Sequence, residues 1–187
     1  MAKFKEKTLK SRRIYKGRIV SLREDTVKMS NGRVAKREIV EHAGAVVIIG
    51  ITDDLPSPRL RQASKKILLI KQFRKPIEKE IIEIPAGLVH ADETSLKAAK
   101  RELLEETGYH AKKIKKVLEA YTTPGYSTEM LQYFLAWDLE TRAQKPDEDE
   151  LIKVMPVPLK AAWKLVEQGK IKDNKTIIAI VLALKYN

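Results

Sequence analysis

The chain has 187 residues, enough for one large domain or a compact domain with a satellite, and too few for two full-sized domains. With 43% hydrophobic and 33% charged residues, 8 Gly and 8 Pro, it is neither collagenous, disordered nor of low complexity, and the absence of cysteine excludes disulfides, thiolate catalysis and cysteine-held metals. A net charge of +12 points to a polyanionic partner, but residues 1–40 hold 13 Lys and Arg against 4 Asp and Glu, so the basicity belongs to the N-terminal end.

No apolar signal core follows Met1 and no run of 18 apolar residues occurs, so a cytoplasmic protein without a membrane partner is expected. In chain order, residues 14–22, 25–29 and 33–40 read as short strands. Asn31-Gly32 lies between the last two as a type I′ hairpin turn, in which both central residues take positive φ. Residues 45–51 and 67–70 are continuous apolar runs that predict buried strands, joined by a polar surface connection with Pro56 and Pro58. A short strand follows at 81–85.

A helix is predicted from about Thr94 to Thr107, capped by Asp92 or Thr94 and closed by Gly108, with Leu96, Ala99 and Leu103 as its apolar stripe. Residues 116–121, 129–138 and 151–154 read as strands, and 158–168 and 174–186 as helices; the apolar stretch 177–184 of the last is expected in the core. The order predicts an α+β fold with a mixed sheet, preceded by a small antiparallel β module. The division expected is 1–43 for the module and 44–187 for the main domain.

Within the central helix Glu102, Glu105 and Glu106 stand at i, i+3 and i+4, so three carboxylates project within one turn. Like charges so close repel, unless water solvates them or a hard cation neutralises them. Magnesium suits an all-oxygen donor set, with Mn²⁺ or another divalent cation as the alternative.

The surrounding spacing decides between these. Gly87, Glu93 and the run Arg101-Glu102-Leu103-Leu104-Glu105-Glu106-Thr107-Gly108 fit the signature of the Nudix hydrolases, departing only at Tyr109, where a bulky aliphatic residue is usual. The resemblance implies an α/β/α sandwich whose loop and helix hold divalent cations against a diphosphate that water attacks. It implies Glu102 and Glu106 as principal metal ligands, Glu105 and the Ala86 carbonyl as further ones, and Gly87, Glu93 and Arg101 as residues that orient the loop.

Three further segments resemble the ADP-ribose pyrophosphatase subgroup: Glu41-His42-Ala43-Gly44-Ala45-Val46, Lys71 to Arg74 with Glu83 to Gly87, and Thr122 to Glu129. The resemblance implies hydrolysis of ADP-ribose to AMP and ribose 5-phosphate, with other nucleoside diphosphate sugars such as GDP-mannose as the alternative. A non-catalytic nucleotide or nucleic-acid binding module is a third reading, disfavoured because all three carboxylates are present, and no nucleic acid partner is expected.

The subgroup also implies a general base in the acidic loop 146–150, Glu148 first and Glu150 second, although alone that loop reads as a solvated charge run. Arg74 is either a phosphate partner or tied to Glu78 or Glu80; Tyr126 is either a nucleoside contact or a packing anchor. Glu83 and Glu129 complete the implied substrate-binding set, and His90 stands where many members carry an acid. The subgroup implies a homodimer with exchanged N-terminal strands. One or two of Arg12, Arg13, Arg18 and Arg37 are expected near the ligand.

Overall fold

The computed structural model describes residues 4–52, 65–144 and 151–186. The chain forms two compact units: residues 1–44 with 119–131, and residues 45–118 with 132–187.

In the first unit, β1 (Glu6–Lys16), β2 (Val20–Met29) and β3 (Val34–His42) form a three-stranded antiparallel sheet. The expected first strand at 14–22 is corrected. β1 begins eight residues earlier, and the chain reverses at Gly17, whose N–H donates to the Val20 carbonyl at 2.9 Å. Every residue of β1 is exposed, so no alternation marks it, and Leu22 to Asp25 runs unbroken inside β2.

The β2–β3 hairpin falls at the expected place with a different turn. Gly32 donates its N–H to the Met29 carbonyl at 2.9 Å, which leaves Ser30 and Asn31 as the central pair. Gly32 has φ of +84°, whereas Asn31 is not among the positive-φ residues and instead accepts the Arg33 N–H on its Oδ1 at 3.0 Å. A type I turn followed by a left-handed glycine results, and the Asn side chain stabilises it in place of a type I′ backbone. Elsewhere in the unit, Val40 pairs with residues 126–128: it accepts the Thr128 N–H at 3.0 Å and donates to the Tyr126 carbonyl at 2.8 Å.

A second sheet, which belongs to the second unit except for residues 119–121 of β8 and 130–131 of β9, is ordered β10-β5-β4-β9-β8, with β6 beside β5 and β7 beside β4. The strands are β4 (Ala45–Thr52), β5 (Lys66–Arg74), β6 (Lys79–Glu83), β7 (Ala86–Leu88), β8 (Tyr109–Tyr121), β9 (Met130–Thr141) and β10 (Lys153–Pro158). The helices are α1 (Ser95–Thr107), α2 (Leu159–Glu167) and α3 (Asn174–Lys185). The strand expected at 81–85 is two: Ile84 and Pro85 form a corner between β6 and β7. β8 starts directly at the end of α1, and the strand expected at 151–154 runs instead over Lys153–Pro158.

Strand alternation generates the layers. Val46 and Ile48 of β4 join Leu68, Ala98, Ala99, Leu103, Phe134 and Ala136 in one buried cluster under α1. Val47, Ile49 and Ile51 point to the opposite face of the same strand and are buried too, so β4 is covered on both sides, with α3 against it as well. This is the expected sandwich. Each fully buried aliphatic side chain here contributes about 1.5–3 kcal/mol by leaving water.

The stripe of α1 is Ala98, Ala99 and Leu103, with Leu96 42% exposed, because Leu96 lies in the first turn on the outer side. On α3 the core face is Thr176, Ala179, Ile180 and Ala183, while Val181 and Leu184 are exposed, so the core expectation holds for half of that helix. The surface connection expected between β4 and β5 lies outside the described residues, apart from its end at Lys65.

Candidate active site

The site starts from how α1 begins and ends. Thr94 caps it, its Oγ1 accepting the Lys97 N–H at 3.3 Å, and Gly108 closes it with φ of +72° and an N–H donated to the Leu104 carbonyl. Between these limits the stripe packs on the sheet, which aims Arg101, Glu102 and Glu105 to one flank and turns Glu106 inward.

Arg101 organises that flank. Its Nη2 donates to Glu93 Oε1 at 2.6 Å and to the Leu88 carbonyl at 3.0 Å, and its Nη1 to Glu102 Oε1 at 2.7 Å and Glu105 Oε2 at 2.9 Å. The Glu93 hydrogen bond, followed by those from Glu105 and Glu102, holds the guanidinium still more firmly protonated than usual despite partial burial. Reciprocally, Arg101 holds the Glu93 carboxyl below its ordinary range, with help from the His90 N–H at 3.1 Å. His90 itself is exposed, and its ring reaches Glu93 only at 3.7 Å.

Glu106 is 2% exposed, and its Oε2 accepts the Ala86 N–H at 3.0 Å, so the backbone of Ala86 lies against this carboxylate. Glu102 lies against Gly87: a Cβ built there would meet the Glu102 carboxylate at 2.0 Å. Glu102, Glu105, Glu106 and Ala86 are thus gathered around the β7 corner, with Gly87, Glu93 and Arg101 fastening the loop to the helix.

Four carboxylates are set here against one guanidinium, and the donors are all oxygen, so in kind they fit a hard divalent cation. Among the described residues, however, no three acidic or histidine side chains stand ready grouped as ligands. Nη1 of Arg101 takes up Glu102 and Glu105 and supplies the positive charge between them.

Arg74 is paired, but with neither Glu78 nor Glu80, which bind Lys75 and Lys71. Its Nε donates to Glu83 Oε2 at 2.6 Å. Glu83 is 2% exposed and also accepts Gln72 Nε2 at 3.2 Å and, on Oε1, the Lys175 ammonium. Burial pushes the Glu83 carboxyl up, yet Arg74 and Lys175 outweigh it and hold the group below its ordinary range.

In the first unit Tyr126 is 57% exposed. Glu129 accepts the Thr122 hydroxyl at 2.8 Å. His42 Nδ1 accepts the Gly44 N–H at 3.1 Å, so its 3.6 Å approach to Glu129 is between two acceptors and is not an ion pair. Arg12, Arg13 and Arg37 are held by Glu24, Glu41 and Glu6. Glu148 and Glu150 lie outside the described residues.

The residues missed from sequence are Lys175, Asp173, Thr176 and Gln72. One signal was available: Lys175 sits in the first turn of a helix, where the macrodipole disfavours a cation. A lysine there implies an acidic partner from elsewhere.

The chain is similar to known proteins along most of its length. The NUDIX domain profile matches residues 57–179, and the nucleoside diphosphate sugar hydrolase N-terminal domain profile matches residues 6–40. The chain is 43% identical to an ADP-ribose pyrophosphatase of Bacillus subtilis (strain 168), over 96% of this chain and 93% of that protein. It is 38% identical to a methanol dehydrogenase activator of Bacillus methanolicus, over 95% and 91%. A crystal structure of an ADP compounds hydrolase shares the fold at a TM-score of 0.82 and 23% identity, covering 97% of this chain and 94% of that one.

Proposed function

The chain belongs to the Nudix family, and from that premise we propose that it hydrolyses the diphosphate bond of ADP-ribose to AMP and ribose 5-phosphate. The observation that carries the substrate is the 43% identity with an ADP-ribose pyrophosphatase along nearly the whole of both chains, N-terminal strands included.

In this reading Glu102, Glu105, Glu106 and the Ala86 carbonyl hold a divalent cation, Mg²⁺ by preference. When bound, the cation polarises the phosphoryl oxygens and offsets the negative charge that grows on them. The chain's own part is to shape and orient. Glu93 would keep Arg101 anchored were Glu102 and Glu105 to hold the cation instead, and Gly87 leaves room for the Glu102 carboxylate. Arg74 binds a phosphate oxygen of the substrate, and Glu148, or failing it Glu150, removes the proton from the attacking water. Tyr126 and Glu129 contact the nucleoside side.

The enzyme is read as a cytoplasmic homodimer with exchanged N-terminal strands. Supporting this, β1 is exposed along its whole length and presents Leu9, Ile14 and Tyr15 at about half exposure. No helix among the described residues is long and apolar enough to cross a membrane.

The test is turnover of a panel. With Mg²⁺ the purified protein is expected to release AMP from ADP-ribose with a higher kcat/KM than it shows for GDP-mannose or other nucleoside diphosphate sugars. Preference for another member, or turnover independent of divalent cation, would overturn the substrate or the metal assignment respectively.

A further inference from the structure

The first turn of α3 carries an arrangement that the proposed chemistry has not used. Lys175 is buried to 14% side-chain exposure at the positive end of its helix, which costs stability unless anions meet it. Two do: the capping residue Asp173 at 3.1 Å, and Glu83 from β6, 92 residues earlier in the chain. Thr176 next to it accepts the Ile84 N–H on Oγ1 at 2.7 Å and donates to Asp173, so the same turn also holds the corner that leads to Ala86.

The oxygens of Glu83 are divided. Oε1 is taken by Lys175; Oε2 receives Arg74 Nε and Gln72. Arg74 is therefore held by its inner N–H alone. Its terminal nitrogens make no hydrogen bond among the described residues, and its side chain is 39% exposed against 3% for Glu83. A guanidinium is planar and carries its donors in a fork, so holding Nε at one carboxylate oxygen leaves the outer edge as a two-pronged donor. Were Oε1 vacant, Glu83 would take a second Arg74 N–H in the bidentate geometry that arginine and carboxylate prefer.

We propose that Lys175 is a positioning residue for Arg74: by occupying Oε1 of Glu83 it prevents bidentate capture of the guanidinium and keeps its outer edge turned to the substrate's diphosphate. The inference rests on the diphosphate chemistry proposed above and names the residue that makes Arg74 available for it.

A double-mutant cycle tests it, using the nucleoside diphosphate sugar that the wild type turns over fastest. Lys175→Met is expected to raise KM by about tenfold, the scale of one charge-assisted contact, with kcat within about twofold. In an Arg74→Ala background the same change should leave KM unmoved, since there is no guanidinium left to orient. Lys175→Arg, which keeps a cationic donor, should recover most of the loss. Should Lys175→Met not fold, Lys175→Gln completes the cycle. Losses that multiply undiminished in the Arg74→Ala background, or a lowered Tm with unchanged KM, would overturn the relay. A wild type that cleaves no diphosphate in the panel overturns the functional reading and the relay with it, so the two failures are told apart.

Discussion

Gly87 leaves the Glu102 carboxylate its space: any side chain at Gly87 would begin 2.0 Å from that carboxylate. The obstacle is the far end of a flexible side chain and not backbone, and Gly87 is not among the positive-φ glycines. Gly87→Ala should therefore fold with a Tm near wild type while pushing the Glu102 carboxylate aside. A displacement of that size in a metal-assisted site costs about 100-fold in kcat. Turnover assayed beside a thermal melt checks it; unchanged kcat would remove Glu102 from the ligand set.

Glu106 combines burial with a structural hydrogen bond, so its charge and its shape must be separated. In Glu106→Gln an amide oxygen can still accept the Ala86 N–H that the carboxylate accepts at 3.0 Å, while the charge is gone. The expected outcome is a native circular dichroism spectrum with kcat reduced about a thousandfold, equivalent to about 4 kcal/mol of transition-state stabilisation. Near-normal kcat would sink the assignment of Glu106 as a metal ligand.

How far the sequence discloses this molecule depends on whether a feature is local. The helix, its Thr94 and Gly108 limits and the three glutamates lie within fifteen residues, and periodicity and capping chemistry read them directly. The bounds of β1 differ from the expected ones because a strand with no buried face carries no alternation to read. The turn at Asn31-Gly32 lies at the expected place but is of another type, because the Asn side chain supplies a hydrogen bond that backbone rules assign to φ. The partner of Lys175 is illegible for a different reason: it is Glu83, far away in sequence, and only the packing of α3 on the sheet brings them together.

Glu83 makes acid stability a measurable property of its own pairing with Arg74 and Lys175. Its carboxyl is held below the ordinary value of about 4.3, so its contribution to stability is complete above that pH and is lost as pH falls through the depressed folded value. At neutral pH Glu83→Gln should cost about 3 kcal/mol, because two cations lose their buried partner. The gap between the two proteins should then close as the medium is acidified below the ordinary value. Melts of both proteins from pH 6 downward decide it; parallel curves would show that Glu83 does not titrate with folding.

The proposed homodimer predicts a soft spot on β1. Ile14 is 49% exposed and adjoins Tyr15 at 57%, an apolar pair that an exchanged strand would cover. Ile14→Glu should shift the protein from dimer to monomer in sedimentation equilibrium, since a buried unpaired carboxylate costs several kcal/mol at an interface. A wild type that sediments as a monomer refutes the dimer.

Arg101 supplies the positive charge among carboxylates that a cation is proposed to join, and the two should compete. Its Nη1 touches both Glu102 and Glu105, at 2.7 and 2.9 Å. Replacing it by Ala removes that charge and the bond to the Leu88 carbonyl, and should lower stability in the presence of a chelator by about 3 kcal/mol. With excess Mg²⁺ the variant should recover more of its Tm than the wild type gains, because a cation stabilises the folded state by mass action and no longer has to displace a guanidinium. The carboxylates would nonetheless be less well oriented once Glu93 has lost its anchor, so kcat should stay low even when the site is saturated. Thermal melts of both proteins over a Mg²⁺ titration provide the measure. Equal gains in the two would mean that Arg101 stays on Glu102 and Glu105 when the cation binds, and that the cation takes its place elsewhere on the β7 corner.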